Sequence, residues 1–139
     1  MDKEKIYRAG VIPYIIESDE LKMMFMRPSD TTFGGKKFQV AKGKIEKGES
    51  KNVAAFREAK EEMGLFKGNV INEHDLGNFL GRTQVFLAEI KDLEMFGDPH
   101  FETAATKWLT LEQFKDTGRE LHYPIVQAAA RWIKKKNNI

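Results

Sequence analysis

The sequence predicts an α/β fold in which a mixed sheet lies between helical layers. Three observations predict it. Runs of β-branched and aromatic residues recur along the chain, separated by turn-forming residues. Other segments carry their apolar residues on a helical period. The two kinds of element are interspersed rather than segregated, so strands and helices share a core.

Tyr7 to Ile16 reads as the first strand, and Leu21 to Met26 as the second. Leu21, Met23 and Phe25 fall on one face of that second strand. The polar run Glu17-Ser18-Asp19-Glu20 between them makes a hairpin. Pro28 to Lys37 is loop, punctuated by Gly34-Gly35. Phe38 to Val40 is a short strand candidate, and Gly43 and Gly48 mark a turn-rich connection.

A helix is expected from an N-cap at Ser50 to a left-handed glycine at Gly64. Val53, Phe56, Ala59 and Met63 make its apolar stripe. Val70-Ile71, Asn78 to Leu80, Thr83 to Ile90 and Thr106 to Leu109 read as further strands, and Leu111 to Phe114 as a short helix. Pro124 opens a last helix at its first position, with Ile125, Val126, Ala129, Trp132 and Ile133 inward. Lys134, Lys135 and Lys136 close it, where cations suit the helix dipole.

The 139 residues fit one domain spanning 1–139. An apolar content of 41%, with 10 Phe and 2 Trp, suffices for a core without cross-links. Cysteine is absent, which excludes disulfides, thiolate metal sites and thiol nucleophiles, and suits a reducing cytosol. The charged start, Met1 to Lys5, is followed by no signal-like apolar stretch, and no segment approaches the roughly 20 apolar residues of a membrane span. A soluble cytoplasmic protein without a membrane partner is expected. The net charge of +2 is too small to imply bulk nucleic-acid binding. Lys36, Lys37, Lys42, Lys44 and Lys47 nevertheless crowd together, as either a solvated loop or a phosphate-facing rim.

On the expected Ser50–Gly64 helix, Glu58 stands three residues before Glu61 and four before Glu62, so all three share a face. Like charges so placed destabilise a helix by a few tenths of a kcal/mol each, which a divalent cation would relieve. Mg²⁺ takes oxygen ligands, commonly carboxylates together with substrate phosphates. A plain solvated face, neutralised by Lys51, Arg57, Lys60 and Lys67, is the alternative.

The wider spacing bears on that choice. Gly43 is followed after five residues by Glu49, and after seven more by Arg57-Glu58-Ala59-Lys60-Glu61-Glu62-Met63-Gly64-Leu65. This resembles the Nudix box, G-x5-E-x7-R-E-U-x-E-E-x-G-U with U apolar, and every defined position is filled. At ordinary residue frequencies, a chance match is expected on the order of 10⁻⁷ per chain. The strand pattern before the box and the late helix are also similar to the family's α/β/α sandwich with its catalytic loop-helix-loop.

The resemblance implies Mg²⁺-dependent hydrolysis (Mn²⁺ as a substitute) of a pyrophosphate linkage in a nucleoside diphosphate derivative. It implies Glu58, Glu61 and Glu62 as metal ligands, with a carbonyl near Lys42 or Gly43 and support from Glu49. Arg57 would orient a glutamate by ion pairing. Glu61 and Glu102 are both candidates for the general base. The run Phe38 to Ser50 is similar to its counterpart in diadenosine polyphosphate hydrolases and RNA 5′-pyrophosphohydrolases, although Ala41 stands where those relatives usually have Pro. A dinucleoside polyphosphate, or a capped or triphosphorylated RNA end, is therefore the leading substrate. ADP-ribose, another nucleotide sugar and a nucleoside triphosphate are the alternatives, and a non-catalytic nucleotide-binding module is the rival class. Arg27, Lys36 and Lys42 are candidate phosphate contacts. Tyr14, Phe33, Phe38 and Tyr123 are candidate base-stacking residues. His74, His100 and His122 lack metal-ligand spacing and read as surface or loop residues. Monomer and homodimer both remain open.

Overall fold

A computed structural model describes residues 6–32, 35–100 and 102–139. Among these residues, six strands, β1 (Arg8–Glu17), β2 (Glu20–Pro28), β3 (Ala41–Lys44), β4 (Val70–Phe79), β5 (Thr83–Ile90) and β6 (Thr103–Leu109), form one mixed sheet. Three α-helices, α1 (Lys51–Met63), α2 (Leu111–Thr117) and α3 (Tyr123–Asn137), cover it.

The sheet runs in the order β4-β5-β1-β2-β6, and β3 pairs with β1. β1 is parallel to β5 and antiparallel to β2 and β3. Ser18 and Asp19, with φ of 52° and 65°, turn β1 into β2. Two consecutive positive φ values suit the right-handed twist of a hairpin.

Both faces of the sheet are covered, so β2 reads as a continuous apolar run. Leu21, Met23 and Phe25 meet Phe114 of α2 and Ile125, Val126, Ala129 and Ile133 of α3. Met24 and Met26, on the other face, meet Ala54, Ala55, Ala59 and Met63 of α1. The expected α/β/α arrangement is thus observed.

One feature of β1 positions the site. Its second half, Tyr14 to Glu17, pairs with β2, whereas its first half, Arg8 to Val11, pairs with β3 on that side. β2 has diverged from β1 by then, and the intervening segment crosses the gap. Gln39 exchanges backbone hydrogen bonds with Met26 of β2, and two residues later Ala41 opposes Val11 of β1.

Several local expectations are corrected. Phe38 and Gln39 make only isolated bridges, and the strand forms at Ala41–Lys44, where β1 offers an edge. Val70-Ile71 and Asn78-Phe79 are the two ends of one edge strand, β4, and Leu80, at φ 57°, already lies in the turn to β5. The exposed polar middle of β4 and two register shifts disguised it. Val53 is 54% exposed rather than inward. Ala54 and Ala55 take the sheet contact, and their small side chains bring α1 close to β1. α2 continues past Phe114 to Thr117, and its Thr110–Gln113 capping box fixes the start. α3 begins at Tyr123, which makes Pro124 its second residue. His122 is buried, not on the surface.

Candidate active site

The loop before α1 ends at Ser50, whose hydroxyl accepts from Val53 N at 3.4 Å. At the other end, Gly64 adopts φ 74° with its Cα against Gly97 O, where a Cβ would overlap. These two ends fix the helix that carries the acidic cluster.

Arg57 organises the cluster. Its Nε and Nη2 donate to the two oxygens of Glu49 at 2.7 and 3.0 Å, a bidentate pair. Nη1 donates to Glu58 Oε2 at 3.0 Å, and Nη2 also reaches Lys44 O at 2.9 Å. Glu61 Oε2 stands 3.5 Å from Nη1. The hydrogen bonds from Arg57 hold the half-buried Glu49 carboxyl below its ordinary range.

Among the described residues, β3 pairs with a strand on one side only, and α1 satisfies part of its other edge. Glu62 Oε1 accepts from Lys42 N at 3.2 Å, and Arg57 donates to Lys44 O. Between them, the Glu58 carboxylate rests against Cα of Gly43, in space a Cβ would fill.

Glu58 and Glu62 therefore converge. Burial, then the neighbouring Glu58 charge, push the Glu62 carboxyl up to about 8. Burial and then Glu61 raise Glu58, with Arg57 opposing. Two half-buried carboxylates that resist ionising together suit a hard divalent cation, which would favour their charged forms. Among the described residues, no three His, Asp or Glu side chains are already gathered around one point. Glu61 is the outlying member. It lines a separate recess of about 400 Å³ with Arg57, Lys60, Phe66 and His100.

Glu62 opens onto a cleft of about 420 Å³ in the gap where β2 leaves β1. Arg8, Met26, Pro28, Ser29, Asp30, Gln39, Val40, Lys42 and Glu102 complete its lining. Burial lowers the Lys42 ammonium, and the nearby Arg8 and Arg119 charges lower it further. Arg8, Lys42 and Arg119 offer a polyanion three cations here, beside the acids Asp30, Glu62 and Glu102.

Of the residues expected from sequence, Glu62, Lys42 and Glu102 meet in this cleft. Arg27 and Lys36 instead line a smaller recess of about 300 Å³, and the Arg27 guanidinium lies 5.9 Å from the Phe38 ring. Phe38 and Tyr123 pack against the core that α2 and α3 cover. Tyr14 is a correction. It is 2% exposed, because alternation along β1 points it with Ile12 into the core, and burial pushes its phenol up to about 12. Phe33 lies outside the described residues.

Sequence reasoning missed Arg8, Gln39, Ser29 and Asp30 in the cleft, and Arg119 beside it. Arg8 carried a signal, as a cation at the head of an otherwise apolar strand. It also missed His122, whose Nδ1 accepts from Val40 N at 3.1 Å. Burial, then Lys42 and Arg119, push that imidazole down to about 3.

Comparison with solved structures agrees with this architecture. An Ap4A hydrolase from C. elegans, in a binary complex, superposes with a TM-score of 0.75 at 17% identity, covering 94% of this chain and 98% of that one. The Nudix hydrolase RenU from M. smegmatis gives 0.71 at 15%, covering 95% and 89%. The NUDIX domain of NrtR from Shewanella oneidensis, complexed with ADP ribose, gives 0.69 at 12%, covering 95% and 90%. At such identities the likeness speaks to fold. No curated protein matches the chain by sequence. The family itself rests on sequence, since the NUDIX domain profile matches residues 6–129. With that match over most of its length, the chain belongs to the NUDIX domain family and is by class a pyrophosphohydrolase.

Proposed function

We propose that the chain hydrolyses a pyrophosphate linkage in a nucleoside diphosphate derivative, with Mg²⁺ held by Glu58 and Glu62. The convergence of these carboxylates against Gly43 and Lys42 N, at the mouth of a cleft that also holds Arg8 and Lys42, carries the reading. A bound divalent ion would neutralise phosphate oxygens and lower the pKa of a water.

The chain's own groups have separate tasks. Arg57 holds Glu58 in place and ties the preceding loop to the helix through Glu49. Lys42 N fixes Glu62. Lys42 and Arg8 draw the polyphosphate into the cleft. Glu102 shares the cleft with Glu62, so it, rather than Glu61, is proposed to take the proton from the attacking water. Glu61 then serves as an outer acid facing Arg57.

A dinucleoside polyphosphate or an RNA 5′ end remains the leading substrate. The fold shared with the C. elegans Ap4A hydrolase supports it. ADP-ribose is the second reading, supported by the likeness to a NUDIX domain complexed with that compound.

Glu62→Gln tests the assignment. It should lower Mg²⁺-dependent turnover by about 10²–10⁴-fold with the fold retained. A folded variant with wild-type turnover overturns it. Substrate is decided by product identification across dinucleoside polyphosphates, triphosphorylated RNA, ADP-ribose and nucleoside triphosphates, with Mg²⁺ and with Mn²⁺.

A further inference from the structure

A second cationic recess opens at the far end of β3. It measures about 480 Å³ and is lined by Ile6, Tyr7, Arg8, Lys44, Ile45 and Arg82. Arg8 belongs to its wall and also to that of the main cleft. The two recesses therefore share Arg8.

Strand register explains the alignment. Arg8 opposes Lys44 and Gly10 opposes Lys42, so the three cationic side chains rise from one face of the β1–β3 ladder. Lys42 and Lys44 are about 7 Å apart along the strand. At Gly10, a Cβ would strike Ala41 O and crowd the Lys42 side chain. No side chain from β1 interrupts the path from Lys42 to Arg8. Among the described residues, Arg8, Lys42, Lys44 and Arg82 form no salt bridge. Arg8, Lys42 and Lys44 thus make a run of cations on this face, with Glu62 at its Lys42 end. It also ends on an aromatic face. Tyr7 is 48% exposed, and the Arg82 guanidinium stands 5.6 Å from its ring centroid. Aromatic rings and guanidinium planes are the surfaces on which nucleobases stack.

We propose that this recess is a distal nucleotide subsite. With the scissile anhydride in the main cleft, the following phosphates run from Lys42 to Arg8 and Lys44, and the next base stacks at Tyr7 and Arg82. The inference rests on the main cleft as the seat of hydrolysis. Its ligand is a nucleotide unit, from either a single-stranded RNA 5′ end or the far half of a dinucleoside polyphosphate.

Arg82→Glu and Tyr7→Ala test it, because both side chains are exposed and lie outside the main cleft. Turnover is measured on a 5′-triphosphorylated tetranucleotide, a dinucleoside tetraphosphate and a nucleoside triphosphate. The variants should lower kcat/KM on an extended substrate by about tenfold, the worth of a lost stack, and change it less than about twofold on the triphosphate. Loss confined to the RNA identifies that source, and loss confined to the dinucleotide identifies the other. Equal losses on all three substrates, or none on either extended one, overturn the subsite. If wild-type protein cleaves none of them, the main-cleft reading fails, and binding decides the subsite separately. Fluorescence anisotropy with the labelled tetranucleotide should then show weaker binding to Arg82→Glu, and equal affinities reject the proposal.

Discussion

The Glu58 carboxylate occupies the volume that any side chain on Gly43 would need. The glycine is required here by close approach. Gly43→Ala should displace Glu58, cut turnover at least about tenfold, and cost roughly 1–3 kcal/mol through overpacking. Gly68→Ala is the control, because a Cβ there meets open space. Thermal unfolding and steady-state kinetics on both variants check the contrast.

Arg57→Lys keeps the charge but loses the planar fork that grips Glu49 and also reaches Glu58 and Lys44 O. Loss of charged hydrogen bonds at a partly exposed site should lower stability by about 1–2 kcal/mol. Turnover should fall more than substrate affinity, because Arg57 touches the acids rather than the cleft. A fall in KM-related binding alone would contradict the assigned role.

With Mg²⁺ held as proposed, the Glu58–Glu62 pair should link metal binding to pH. Glu62 carries a folded value near 8 against an ordinary 4.5, so it holds a proton across the neutral range without metal. Mg²⁺ needs the ionised form, so its affinity should rise with pH up to about 8, by about tenfold per unit for one released proton. Without metal the sign for folding is the reverse. The folded state binds the extra proton, so Glu62 costs stability progressively as pH rises from 4.5 to about 8. Calorimetry in buffers of different ionisation enthalpy counts the proton.

His122 sets the acid side. Its folded value lies near 3 and its ordinary value at 6.5, so the unfolded chain binds the extra proton in between. Stability should therefore fall as pH drops below 6.5, by about 1.4 kcal/mol per unit, toward an accumulated loss on the order of 4–5 kcal/mol. His122→Gln should flatten that slope. Denaturant unfolding between pH 4 and 7 measures it.

Helix α1 was legible because its logic is local. N-cap, glycine terminus and carboxylate spacing all sit within one segment, and the structure reproduces each. Leu21, Met23 and Phe25 were legible for the same reason, as a simple alternation. Tyr14 and His122 were not. Their burial depends on which layer covers them, and a strand period alone does not tell a cleft from a core. Arg8 and Arg119 are far apart in sequence and approach Lys42 only through folding. β4 was hidden because an edge strand exposes polar residues that read as loop.

The fork in β1, where one neighbour is exchanged for another, has a lasting consequence. The opening it creates is framed by main chain, so its position is indifferent to most substitutions along the rim. The acids, by contrast, are locked to glycine and arginine at fixed offsets. The rim can therefore change residue by residue while the acids on α1 stand still.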